Sequence, residues 1–450
     1  MSNERGGNAP AATTGRYLVL FAQDTPRQAM EQVTGAAGMR MAHANDFAVA
    51  ALEVDDVLKE SDGLFFDDLQ VAVCETPPEQ MHALAAAAAD VQSPVAAVEA
   101  ERYVYVAQEA QALRAADLQP PLAADYSREY LRGYRDASSH LYEALYARPV
   151  TAPSTVSSVA SVLWSDTDAL TWGLAATRVT QSRYTGKGVS VAILDTGFDF
   201  NHPDFQGREI QSKSFVSGET AQDAHGHGTH CTGTACGPAS PAGTGQRYGV
   251  AGDANIYIGK VLGNSGTGTD GSILAGINWA VQQGCKIVSM SLSSRTNPGE
   301  PYSQVYEIAA RRALDRGTLL IVAAGNDSLR PAVVRPVGRP ANCPSMVAVA
   351  AIDAQGQMGY FSNAGVAAGD KQITIAGPGV AITSSWPLPR QYNTISGTSM
   401  ATPHVAGIAA LYLEEQPSLS AADLLQLLKT RCGKLNLSAT DIGSGLVQAV

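Results

Sequence analysis

Positive charge, cysteine and aromatic residues are all scarce in this chain. Its 450 residues hold 31 Lys+Arg against 42 Asp+Glu, with 16% charged and 6% aromatic residues overall. No basic stripe is available to follow a phosphate backbone, which excludes nucleic acid as a partner. The six cysteines (Cys74, Cys231, Cys236, Cys285, Cys343 and Cys432) form no CxxC pair. Isolated reduced thiols are expected in place of a disulfide frame or a zinc site. The longest apolar runs, such as Leu319–Ala324 and the Ala-rich stretch around Leu84–Ala89, fall far short of the roughly 20 residues of a membrane helix, so no membrane partner is expected. Met1–Gly15 is polar and lacks the basic and apolar regions of a secretory signal. The expected location is the cytoplasm, or outside the cell by a route that uses no classical signal.

Hydrophobic residues, at 45%, and 43 glycines give enough core for two or three compact domains with many tight turns. Residues 1–150 hold 22 Asp+Glu against 11 Lys+Arg, and residues 151–450 hold 20 against 20. The whole net charge of −11 therefore sits in the first third, and the two parts have separate jobs.

Residues 1–15 are expected to be disordered. Beyond them, strands at Arg16–Phe21, Phe47–Val54, Leu69–Val73 and Val95–Ala107 alternate with helices at Thr25–Thr34 and Pro78–Asp90. That β-α-β-β-α-β order predicts a small ferredoxin-like α+β domain with one apolar sheet face. Leu131, Tyr134, Leu141 and Leu145 recur at helical spacing, extending it to residue 147. Residues 148–165 are rich in Pro, Ser and Thr and read as a linker a protease could reach. From 166 to 450, short β-branched runs at Val189–Leu194, Ile256–Val261, Lys286–Ser291, Leu319–Ala324 and Met346–Ile352 alternate with helical stretches. This predicts a doubly wound α/β domain with a parallel sheet, whose chemistry gathers at the carboxyl ends of the strands.

Three stretches of this second domain carry unusual residues. Val191–Gly197 (VAILDTG) ends an apolar strand in Asp195, and burying an unpaired carboxylate is costly. Taken alone, it is a capping or turn acid. Asp223–Gly233 (DAHGHGTHCTG) crowds His225, His227 and His230 together ahead of a helix. A zinc-protease helix pairs His at i, i+4 with a Glu, and no such Glu accompanies these three, so a catalytic His at a helix start is the better reading. Ile395–Gly407 (ISGTSMATPHVAG) sets Ser399 at a helix start whose first turn includes Pro403, where the positive end of the helix dipole faces the Ser oxygen.

In this order the three stretches resemble the subtilisin-like serine proteases, from about Trp172 to the C-terminus. The resemblance implies Asp195, His227 and Ser399 as the triad, with Asn326 of VAAGN supplying a side-chain amide to the oxyanion hole. His202-Pro203-Asp204 agrees. A Ser hydroxyl needs a base to take its proton, here His227, which Asp195 orients. His225 is read as a loop side chain, His230 as a packed histidine, and Cys231 as core or as the free thiol some members carry there.

The resemblance also assigns Ser291, Leu292 and Ser293 to the substrate edge strand and first pocket, Gly266 to the opposing strand and Gly338 to the pocket base. Asp327 falls at its rim and Arg339-Pro340 where a cis bond can occur. Ser293-Ser294 replace the usual Gly-Gly, so a narrower or more polar pocket is expected. No cofactor is required for the chemistry. Structural calcium lacks its usual ligands: GPASPAGTGQRYG replaces the Asn-rich loop and Thr374 the usual Asp, although Asp204 is left as a possible ligand. The acidic domain then reads as a propeptide that inhibits in the cleft and is cut off within 148–165. The expected function is a self-inhibited endopeptidase acting on polypeptides. The alternative is a catalytically silent binding protein of the same fold.

Overall fold

The computed structural model describes residues 13–22, 24–47, 54–90, 92–107, 164–366 and 371–450. All of these fall within one compact unit, Met1–Glu109 with Leu163–Val450. The helical extension expected up to residue 147 and most of the linker 148–165 lie outside the described residues, as do residues 1–12, while Thr13, Thr14 and Gly15, expected to be disordered, open the first strand.

The N-terminal domain runs β1 (Thr13–Phe21), α1 (Arg27–Ala36), β2 (Met41–His43), α2 (Val54–Val57), β3 (Gly63–Phe66), β4 (Val71–Cys74), α3 (Pro78–Ala87) and β5 (Val95–Val106). Its strands lie in the order β5-β1-β4-β3-β2. They are antiparallel except for β2 against β3. The strand expected at Phe47–Val54 is not found where the chain is described: Val54 opens α2, and the strands are β2 and β3. Nor is one face of the sheet solvated. Gly-Leu-Phe-Phe of β3 and Val-Ala-Val-Cys of β4 are buried at every position, as continuous apolar runs require. Val19, Phe21, Phe65 and Ala72 face α1 and α3 through Met30, Met81 and Leu84. Leu18, Leu20, Leu64, Val71 and Val73 join the core of the second domain instead.

The second domain comprises α4 (Trp172–Ala176), β6 (Ser190–Asp195), β7 (Ile210–Ser214), α5 (His227–Cys236), β8 (Asn255–Lys260), β9 (Thr267–Thr269), α6 (Asp270–Gln282), β10 (Ile287–Met290), β11 (Leu292–Ser293), α7 (Gln304–Asp315), β12 (Leu319–Ala323), β13 (Val347–Ile352), β14 (Ile375–Pro378), β15 (Ile382–Ser385), β16 (Tyr392–Ile395), α8 (Thr398–Glu415), α9 (Ala421–Thr430) and α10 (Ala439–Ile442). Seven strands form one sheet in the order β14-β13-β12-β10-β6-β8-β7, all parallel. Parallel strands need helical crossovers, which cover both faces and leave the strands buried throughout. Strand order reverses direction around β6 and β10, so β6 delivers Asp195 to the carboxyl edge beside the ends of β10 and β12.

The two domains meet through charge as well as apolar surface. Glu99 accepts from Ser303 Oγ and Gln304 N, each at 2.6 Å, so it caps α7 from the other domain. Glu101 accepts from Gly271 N at 2.8 Å at the start of α6. A carboxylate at a helix N-terminus satisfies free N–H groups and meets the positive dipole end. From α7, the Arg312 guanidinium returns to the carbonyls of Leu69 and Phe21.

Candidate functional site

The site is assembled where three element ends converge. Asp195, the last residue of β6, sits 2.7 Å from His227 Nδ1 through Oδ1, and both are fully buried. His227 opens α5 after Gly226, whose φ of +106° is a left-handed conformation glycine adopts without strain. The next residue must be small too. A Cβ on Gly228 would lie 2.2 Å from the Gly197 carbonyl oxygen, so the HG pair lets α5 dock on the loop after β6. Asp223 anchors that approach, accepting from Gly226 N, Thr229 N and the Thr196 hydroxyl at 2.8–3.0 Å.

Burial opposes a charge on His227, but the Asp195 carboxylate and then Cys231 outweigh it, holding the imidazole well above its ordinary pKa. His227 Nε2 is buried, with no hydrogen-bond partner among the described residues. Its neighbours have other duties. His225 lies with its ring 6.2 Å from that of His227, and burial together with His227 pushes its pKa down. His230 is bonded through Nε2 to the Ile382 carbonyl at 2.9 Å, and burial lowers it to about 3. Asp195 therefore pairs with His227 and neither of the others.

Ser399 is the second residue of α8, with its hydroxyl 3.1 Å from the Ser291 carbonyl. Pro403, expected within the first turn, lies beyond it, inside the helix, and has no N–H to return to residue 399. The freed Ser399 carbonyl accepts instead from Ser291 Oγ at 2.8 Å and from the Cys231 thiol at 3.6 Å. Asn326 follows β12, and its Oδ1 accepts from Thr398 N at 2.9 Å and Thr398 Oγ1 at 2.8 Å. That fixes the amide so that Nδ2 points into the cleft. Thr398 was not singled out from sequence, because a Thr beside a Ser in a Gly-rich stretch carries no signal of its own.

The cleft holds the end of β5. Residues 103–105 pair antiparallel with β9, and Tyr105 and Val106 with Ser293 and Leu292 of β11. Val106 N donates to the Gly266 carbonyl at 3.0 Å and Ala107 N to the Ser291 carbonyl at 3.1 Å. The Ala107 carbonyl oxygen meets both Asn326 Nδ2 and Ser399 Oγ. Gly266, Ser291, Leu292 and Ser293 thus all touch or pair with this strand. Gly338 lies against Ser293: a Cβ there would be 2.2 Å from Ser293 Oγ, which is itself buried without a partner among the described residues. Asp327 is turned away, accepting from Asn363 Nδ2 at 3.1 Å, and Arg339–Pro340 is cis.

The match extends beyond these contacts. Residues 186–445 fit the Peptidase_S8 model, described as the subtilase family. The chain belongs to the subtilase family. It is an enzyme of the subtilisin-like serine endopeptidase type. It is 35% identical to subtilisin DY of Bacillus licheniformis over 271 residues, 60% of this chain and 90% of that protein. With subtilisin Savinase of Lederbergia lenta the identity is 38% over 285 residues, covering 62% and 96%. A solved structure, titled as a cold adapted subtilisin-like serine proteinase, superposes with a TM-score of 0.51 at 34% identity, over 60% of this chain and 91% of that one.

In this subtilase Asp204 does not fit a calcium ion. Its carboxylate accepts from Gly243 N at 2.8 Å, Tyr248 Oη at 2.5 Å and Tyr392 Oη at 2.9 Å. Three donors aimed at one carboxylate take three of its roughly four lone-pair sites, leaving little for a hard cation that collects six to eight oxygens. Thr374 likewise is engaged, accepting from Ala348 N at 3.1 Å.

Proposed function

We propose that this protein cleaves polypeptides through an acyl-enzyme on Ser399, with His227 as base and then acid, Asp195 orienting it, and the Asn326 amide steadying the oxyanion. His227 takes the Ser399 proton as the hydroxyl adds to the carbonyl, and returns it to the leaving amine. The Asn326 amide, held by Thr398, is preorganised for charge that develops only in the transition state.

The observation that carries the reading is the Ala107 carbonyl, set between Ser399 Oγ and Asn326 Nδ2 at the end of a strand paired on both sides. An enzyme holding its own strand in this way is made as a self-inhibited precursor. The bond it presents to Ser399 is Ala107–Gln108, so the processing site is moved there from the linker 148–165. Ser293, with its buried hydroxyl beside Gly338, narrows the first pocket and favours a small residue such as Ala107 before the cut. The test is incubation of wild-type and Ser399→Ala chains side by side. The wild type separates into two fragments that hydrolyse peptide, whereas Ser399→Ala stays whole. Full activity in an uncut chain would defeat the precursor reading.

A further inference from the structure

Upstream of the paired residues, β5 continues along the second domain, and there one side chain is received by a group outside the chemistry described above. Arg102, the sixth residue before the Ala107–Gln108 bond, extends Nη1 to Glu300 Oε1 at 2.8 Å. The Arg102 backbone N–H donates to Asp270 Oδ2 at 2.9 Å, which fixes the strand and aims the side chain. Glu300 is held ready: its other oxygen, Oε2, accepts from Asn297 N at 3.1 Å and Asn297 Nδ2 at 3.3 Å. The pair lies in a recess of about 420 Å³ that Thr296, Pro301 and Tyr302 also line.

The two acids of this region differ in their partners. Asp270 faces Arg339 Nη2 at 3.0 Å, a cation of its own domain. Glu300, only 23% exposed, has Arg102 at 30% exposed as its single ion-pair partner among the described residues. Burial works against its charge, but Arg102 and then Asn297 hold its carboxyl below the usual range. When residues up to 107 leave, Glu300 keeps its hydrogen bonds to Asn297 and loses its cation.

The geometry points to Glu300 as the acceptor of a separate subsite, which selects polypeptides bearing arginine six residues before the cleaved bond. This rests on the reading that the end of β5 occupies the substrate path. A planar guanidinium in a half-buried recess can meet the carboxylate directly, while an uncharged residue at that place leaves Glu300 unpaired. The contact is the same in ground and transition states, so it acts on KM more than on kcat.

The test compares two internally quenched peptides spanning residues 99–110, one with Arg and one with Ala at position 102, on self-processed wild type and on Glu300→Gln. In wild type the Arg peptide is expected to have kcat/KM about three- to ten-fold higher, mostly through KM, with the ratio shrinking at high salt. In Glu300→Gln the ratio falls to about one while the Ala peptide is cleaved as before, which also shows that the variant is folded. Equal wild-type rates, or the same ratio in the variant, would overturn the subsite alone. Failure to cleave either peptide would overturn the endopeptidase reading and the subsite with it. As a second variant, Glu300→Arg is expected to prefer a peptide with Glu at that position, and an unaltered preference for Arg would contradict the proposal.

Discussion

Ser291 Oγ donates to the Ser399 carbonyl at 2.8 Å, closing a gap that Pro403 opens in the helix. Ser291, just before β11, thereby ties the cleft wall to the turn that carries Ser399. Ser291→Ala removes the donor and leaves a buried carbonyl with only the Cys231 thiol. In a Ser399→Ala background it is expected to lower stability by about 1–3 kcal/mol, read from urea unfolding. An unchanged midpoint would show the tie to be idle.

The pairing of Asp195 with His227 fixes a pH dependence. Burial alone lowers the imidazole pKa, and Asp195 reverses that. Attack needs neutral His227, so kcat/KM should rise with pH through a value above the ordinary 6.5. Imidazole NMR of the Ser399→Ala chain should give His227 a pKa above 6.5, and adding Asp195→Asn should drop it below. A value below 6.5 with Asp195 intact would contradict the assignment.

Two other buried histidines act on stability with the opposite sign. Burial lowers His230 to about 3 and His404 to about 4, so each stays neutral when folded but binds a proton unfolded once the pH falls below about 6.5. The unfolded state then holds more protons, and each site removes up to about 1.4 kcal/mol per pH unit from there down to its folded pKa. His227, raised instead, is protonated in both states throughout that window and adds no slope there. Urea midpoints of Ser399→Ala should fall from pH 6.5 to 5, and His404→Gln should flatten the fall. Equal slopes would contradict this account of His404.

Ser293 offers a specificity test. Its hydroxyl, buried beside Gly338 and unpartnered among the described residues, should make wild type prefer Ala over Phe before the cut by about ten-fold or more. Ser293→Gly should erode that preference by raising kcat/KM for Phe. A wild type indifferent to the two residues would contradict the narrow pocket.

Much of the second domain was legible because its signals are local. The apolar run ending in Asp195, the glycines around His227 and the Ser399 stretch mark a strand end and two helix starts, while their joint role as a triad comes through the resemblance. Asn326, Gly266 and Ser291–Ser293 came through resemblance, and each now touches or pairs with the β5 strand. What sequence could not show depends on long-range partners. That Pro403 lies inside α8 and frees Ser399 for Ser291 needs the helix start fixed by Gly397. That Thr398 holds Asn326, or that two tyrosines fill the Asp204 carboxylate, needs chain segments far apart to meet. In the N-terminal domain, the strand expected at Leu69–Val73 is β4, whereas β3 is short and buried on both faces, so no alternation marks it, and Phe47–Val54 takes the strand assignment instead. The end of β5 read as an ordinary strand terminus, because only the fold brings Ala107 to Ser399.

The position of Ala107 is also where the account is most exposed. Mass spectrometry of the first fragments formed by the wild-type chain, with Ser399→Ala as the uncut control, tests it directly. The expected result is an N-terminal fragment ending at Ala107 and a partner beginning at Gln108, both absent from Ser399→Ala. First fragments ending only within residues 148–165, or fragments formed equally by Ser399→Ala, would contradict the claim that this subtilase holds its own Ala107–Gln108 bond at the nucleophile.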